Sequence, residues 1–145
     1  MVWGAMTADG TLALHRIHGT VKSANYVDIL QEHVLPFFIH HPGWTYQQDN
    51  APAHKSRLTM NWFADNGITV MVWPPNSPDL NPIEHVGSAV KRQLDSTVVH
   101  GFEELWQASS AIFANMDMEF IRHLYSSMPS RCAEVIKNRG GHTHY

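Results

Sequence analysis

The chain has 145 residues, 43% of them hydrophobic and 16% charged, which suits one globular domain with its own core and excludes a disordered chain. A formal charge of −3 argues against autonomous DNA binding, because phosphate neutralisation needs clustered Lys and Arg. No apolar run reaches the roughly 18 residues of a membrane span, the N-terminus lacks the order of a signal peptide, and the single cysteine, Cys132, excludes an internal disulfide and suits a reducing compartment.

The first predicted element is a hairpin. Met1 to Thr7 and Thr11 to Ile17 are apolar runs on either side of Ala8-Asp9-Gly10, and Asp-Gly between two such runs is a strong turn signal. Asn25 then precedes Tyr26, Ile29, Leu30, His33, Val34 and Phe37, which is helical spacing behind a capping residue, ending near His40-His41-Pro42-Gly43. Trp44 to Asp49 reads as a short strand. Asn50 is a candidate cap, and Pro52 falls in a first helical turn, where a missing N–H costs nothing. That helix is expected to run to about Asp65 and to stop at Asn66-Gly67. Ile68 to Trp73 is a dense β-branched run, as in a buried strand.

Pro74 to Pro82 contains four prolines and is not expected to be regular. Asn81 is the expected cap of the next helix, with Pro82 at its first position. Ile83, Val86, Val90 and Leu94 form its core stripe, and Glu84, Ser88 and Lys91 share an adjacent face. Two further helices are expected, over Phe102 to Met116 and Met118 to Asn138, the second broken near Pro129. The domain is therefore expected over 1–139, with 140–145 as a flexible tail. A hairpin followed by alternating helices and strands predicts an α/β layered domain.

Two carboxylates stand out. Asp49 ends an apolar run, where a rigid strand can aim a side chain into a cleft. Glu84 lies in the first turn of a helix. Neighbouring carboxylates repel, and a divalent cation is the usual relief. Each also has a plainer reading. Asn81-x-x-Glu84 fits a capping box, and Asp49 fits a helix-start residue. Lys91 and Arg92 fit a solvated helix face, and His54 an ordinary surface polar residue. The eleven histidines lack the cysteine partners or the His-Glu-x-x-His spacing of a zinc site.

The context of the two carboxylates favours a metal. Gln48-Asp49-Asn50-Ala51-Pro52 with His54, Trp73-Pro74-Pro75, Ser77-Pro78-Asp79-Leu80-Asn81-Pro82-Ile83-Glu84, and Lys91-Arg92 follow in order, with 34 residues between Asp49 and Glu84. Together with Val2-Trp3-Gly4 at one end and Gly140-Gly141-His142-Thr143 with Tyr145 at the other, this pattern resembles the catalytic domain of the Tc/mariner superfamily of DDE DNA transposases over nearly the whole chain. The resemblance implies an RNase H-like fold, a five-stranded mixed sheet flanked by helices. The elements above match its second to fifth strands, and its first, central strand is not among them.

The resemblance also implies a chemistry. Three carboxylates would hold two Mg²⁺ or Mn²⁺ ions about 4 Å apart, for DNA cleavage and strand transfer. Asp49 and Glu84 match the second and third. The first carboxylate is not found, since Asp9 falls in a hairpin turn and Asp28 on a helix. The helix-turn-helix region of a full transposase is likewise not found. The chain alone is therefore expected to be inactive or nearly so, to bind metal weakly, and to be marginally stable or self-associating. Asn50, His54, Lys91 and Arg92 are the implied DNA-binding residues. The implied partners are transposon-end and target DNA, a second copy or a full-length transposase, and no membrane; the implied location is the nucleus. The other readings are a non-catalytic interaction module and a general metal-dependent nuclease of the same fold. One departure from the family pattern is Gly87, where a Trp is usual. It suggests a vacated aromatic site worth roughly 3–5 kcal/mol.

Overall fold

The structure, a computed structural model, describes residues 1–141, 143 and 144. The motif residues His142 and Tyr145 lie outside the described residues. The strands form two separate two-stranded ladders, and the described chain divides into two compact units. One consists of Met1 with Ile17–Asn76, the other of Val2–Arg16 with the residues from Ser77 onward.

In the first unit, helix α1 (Ser23–Ile29) runs into a π-helical turn over Leu30–Val34 and then into α2 (Leu35–His40). The sequence suggested a single helix here. Pro36 explains the difference. It has no N–H to give to the carbonyl four residues back, so the ladder is interrupted, and the Leu35 N–H bonds to Leu30 O, five residues back. Strand β3 is only Thr45–Tyr46, and it pairs in parallel with β4, Thr69–Val70. The runs Trp44 to Asp49 and Ile68 to Trp73 are thus paired over two residues each, although Met71 N–H still reaches Tyr46 O at 2.8 Å. Beyond that point Val72 is 96% exposed, against the reading of a buried strand. A β-branched run states a preference, and a partner backbone has to realise it.

Helix α3 spans Arg57–Asp65 and is shorter than predicted, because its cap is Ser56, whose hydroxyl accepts from Thr59 N–H. Its end is a Schellman motif. Gly67, at φ +64, gives its N–H to Ala64 O while Ile68 gives its own to Phe63 O. Phe63 and Ile68, the two positions whose apolar contact normally accompanies this motif, are both buried. They join Tyr26, Ile29, Leu30 and Val34 in the core of this unit.

In the second unit, β1 (Val2–Thr7) and β2 (Gly10–Arg16) form the expected antiparallel hairpin, with one irregularity between Ala5 and Met6. A single 3₁₀ turn, Pro78–Leu80, interrupts the proline-rich stretch before α4 (Pro82–Leu94). Helices α5 (Phe102–Ala114), α6 (Met118–Ser126) and α7 (Met128–Lys137) follow, and the break before Pro129 falls where the sequence suggested. Val86, Phe113, Met116, Ile121 and Leu124 are the buried core, with Ile83, Val90, Met6 and Leu14 packed against them. Ile83, Val86 and Val90 of the predicted α4 stripe therefore lie on the face that α4 buries, while Leu94 is only half-buried. Gly4 lets α5 approach the hairpin closely: a Cβ there would lie 3.3 Å from Leu14 Cδ1 and 3.5 Å from the Phe113 ring.

Gly87 corrects the sequence reading. It lies on the exposed side of α4, and a Cβ built on it would meet nothing within 4 Å. The glycine costs the helix its usual propensity penalty, but among the described residues the space beside it is open rather than a packed site missing an aromatic ring.

Candidate functional site

The Gln48–Ser56 segment begins where β3 ends. Tyr46 belongs to the ladder, Gln48 is buried, and Asp49 is the first exposed side chain after it. Asp49 Oδ1 accepts the Ala51 N–H at 3.0 Å, closing an Asx turn. Pro52 follows inside a single turn in which His54 and Lys55 N–H both reach Ala51 O. The turn does not run on into α3. Thr59, fully buried, gives its hydroxyl to Ala53 O at 2.7 Å and fixes the turn to the helix.

Asp49, not Asn50, is thus the residue that caps this turn. The Asn50 amide donates instead to Trp73 O at 3.0 Å and pins the segment to the chain leaving β4. His54 Nδ1 lies 2.6 Å from the same Oδ1 of Asp49. The Asp49 side chain is 55% exposed, and its Oδ2 makes no hydrogen bond among the described residues. One oxygen is held by two protein hydrogen bonds, and the other by none among the described residues.

Glu84 sits in the first turn of α4 with an exposed side chain. The capping-box reading would occupy it with the Asn81 N–H, but that N–H donates to Pro78 O at 2.9 Å. Asn81 stands at the cap position without making a side-chain cap bond. Among the described residues the Glu84 carboxylate has no hydrogen-bond or ion-pair partner. Lys91 and Arg92, on the same helix, are exposed and form no ion pair among the described residues.

What the sequence did not reveal is how α4 is anchored. Arg131 on α7 is buried, at 2% exposure. Its Nε donates to Ser127 Oγ at 2.9 Å, and one terminal nitrogen donates to Asp79 O at 2.8 Å and to His85 Nε2 at 2.6 Å. Burial first, and then the Arg131 charge, lower the pKa of His85 below 6.5, so the imidazole is held neutral and accepts. Asp79 Oδ2 also accepts the Thr143 N–H at 3.0 Å. One guanidinium therefore clamps both sides of Glu84: His85 is the next residue along the helix, and Asp79 lies in the Ser-Pro-Asp-Leu turn that leads into it. The only sequence signal was an Asp in a stiff loop and an Arg on an otherwise unremarked helix, 52 positions away.

The structure brings Asp49, Asn50 and His54 together on one segment, with Gln48 and Tyr26 beneath them. Glu84, Lys91 and Arg92 share α4 in the other unit. Oxygen donors of this kind suit Mg²⁺ or Mn²⁺ better than a thiophilic metal, and, taken separately, Asp49 in one unit and Glu84 in the other each have a carboxylate oxygen without a protein partner among the described residues.

The sequence model of the family described as DDE superfamily endonuclease matches residues 1–105. The chain belongs to that family, and its Tc/mariner character is borne out by its relatives. It is 35% identical over 147 residues to the Tcb1 transposase of Caenorhabditis briggsae, covering 100% of this chain and 54% of that protein. It is 32% identical to the Tc1 transposase of Caenorhabditis elegans, with the same coverage of each. The chain thus spans about half the length of the curated relatives it matches. Its fold is that of the catalytic domain of the Mos1 mariner transposase, with a TM-score of 0.86 at 19% identity, over 99% of this chain and 75% of that one. The expectation of an RNase H-like fold stands on that match. Mos1 structures solved with Mn, with Mg and as a paired-end complex with the left transposon end match at TM-scores of 0.84, 0.85 and 0.86.

Proposed function

We propose that this chain carries two of the three metal-ligating carboxylates of a Tc/mariner-type DDE transposase, Asp49 and Glu84, and is a part, inactive by itself, of the machinery for DNA cleavage and strand transfer. The observation that carries the reading is the state of the two side chains. Asp49 keeps Oδ2 uncommitted, and Glu84 is not consumed as a helix cap because Asn81 N–H is already bonded to Pro78 O. The Mos1 structures solved with Mn and Mg support a divalent ion as the ligand. Bound there, such ions supply activation of a water or a DNA 3′-hydroxyl and stabilise the leaving oxygen.

The protein's own part is to hold the carboxylates rigidly and to meet DNA. Lys91 and Arg92 are exposed on the helix that bears Glu84 and are suited to phosphate contacts. Asn50 and His54 flank Asp49, but both side chains already have protein partners, so their part in DNA contact is secondary. Transposon-end and target DNA, a second copy or a full-length transposase, and a nuclear setting complete the reading.

Incubation with supercoiled plasmid and Mn²⁺ tests it. Two carboxylates are an incomplete set, so the 145 residues by themselves should leave the DNA essentially intact. Any residual nicking should vanish in Asp49→Asn and in Glu84→Gln. Vigorous cleavage that survives both substitutions would refute the assignment.

A further inference from the structure

We infer that His54 is the positioning residue of the Asp49 carboxylate: it holds Oδ1 so that Oδ2 is presented to the metal. The inference rests on the reading of Asp49 as a metal ligand and adds a role for its neighbour. Metal-ligating groups work best when a second layer of hydrogen bonds fixes their orientation. Asp49 has two such bonds, both to Oδ1, from Ala51 N–H at 3.0 Å and from His54 Nδ1 at 2.6 Å. An ionised carboxylate only accepts, so Nδ1 carries the hydrogen.

The imidazole is itself held in place. Its ring stacks on Tyr26, with centroids 4.1 Å apart and planes 30° apart. Tyr26 is 1% exposed, and its hydroxyl donates to Gln48 Oε1 at 2.8 Å. The Gln48 amide donates in turn to the His54 carbonyl at 3.1 Å. Gln48, also buried, is the residue before Asp49. Tyr26, Gln48 and His54 therefore close a loop of contacts around the carboxylate, from a core side chain through the backbone to the ring. A surface histidine that met DNA alone would need neither the stack nor the Gln48 brace. The arrangement also gives Gln48-Asp49-Asn50-Ala51-Pro52-Ala53-His54 a mechanical sense: the five-residue spacing from Asp49 returns the histidine to Oδ1 through the Ala51 turn.

The test uses the 145-residue chain and two readouts. The first needs no metal: long-range ¹H–¹⁵N NMR of the His54 ring should show hydrogen on Nδ1 in wild type, a preference lost in Asp49→Ala. The second is Mn²⁺ titration followed by electron paramagnetic resonance. His54→Ala and His54→Gln should weaken Mn²⁺ binding by about tenfold or more, in the range typical of lost outer-layer partners. His54→Asn should retain most of it, because the Asn amide nitrogen falls where Nδ1 was. If the Ala variant does not fold, the wild-type tautomer and the Asn–Gln contrast still decide. A ring carrying hydrogen only on Nε2, or equal Mn²⁺ affinity in all three variants, would overturn the inference. Asp49→Asn separates the two levels. If it binds Mn²⁺ like wild type, the ligand assignment itself fails. If it loses binding while His54→Ala does not, only the role of His54 fails.

Discussion

Gly87 gives opposite predictions from sequence and from structure, and the difference is large enough to measure. By family pattern an aromatic ring is missing there, and restoring it with Gly87→Trp should return roughly 3–5 kcal/mol. In the structure the position is exposed and a Cβ meets nothing within 4 Å, so only helix propensity changes. Gly87→Ala should then stabilise the chain by about 1 kcal/mol, and Gly87→Trp by about 0.3–0.5 kcal/mol, because Trp is a poorer helix former than Ala. For a chain of this length about 1 kcal/mol moves Tm by about 4 °C. Thermal melts and urea titrations of the three proteins decide the matter. The order expected is Ala above Trp above wild type, all within about 4 °C. A Trp variant standing some 2–3 kcal/mol above the Ala variant, roughly the size of a refilled aromatic site, would refute the reasoning and show that α4 presents a real aromatic site at this position.

The clamp at the base of α4 gives two further predictions. His85 has a folded-state pKa lowered below 6.5 by burial and by Arg131, so its contribution to stability is complete above about pH 6.5 and is lost as the pH falls through the lower folded value. His85→Gln keeps an acceptor for Arg131 without titrating, and its stability should fall less between about pH 7 and about pH 5 than that of wild type; equal slopes would contradict this. Arg131→Met removes the donor shared by Ser127 Oγ, Asp79 O and His85 Nε2, and at about 1 kcal/mol or more per orphaned group it should cost about 3 kcal/mol or more in urea unfolding. Ser56→Ala should cost about 1 kcal/mol by removing the cap of α3, and an unchanged urea midpoint would contradict it.

The elements that were legible in the sequence are those whose signals are local. Ala8-Asp9-Gly10 turns the hairpin, Asn66-Gly67 ends α3 in a Schellman motif, and the Ile83–Val86–Val90 spacing marks the face that α4 buries. The short ladder was not legible, because Ile68 to Trp73 has the composition of a strand whether or not a partner lies beside it, and only Thr69 and Val70 find one. Adjacent capping residues also defeat sequence reading. Asp49 and Asn50 can both cap a turn, and only the folded chain shows that Asp49 accepts from Ala51 while Asn50 turns to Trp73. In the candidate site the carboxylates were visible through their motifs. Their supports were not: Tyr26 and Arg131 reach them from 22 and 46 positions away in pairing with Gln48 and His85, and nothing in a linear pattern announces such a contact.

The central claim is that Asp49 and Glu84 are divalent-metal ligands. Paramagnetic broadening tests it most directly, since it detects even weak Mn²⁺ binding. In ¹H–¹⁵N spectra of the 145-residue chain, substoichiometric Mn²⁺ should first broaden the amides of Gln48–Ala51 and of Ile83–His85, and Asp49→Asn and Glu84→Gln should each reduce the effect at their own segment. Broadening centred elsewhere, or an unchanged pattern in both variants, would contradict the account.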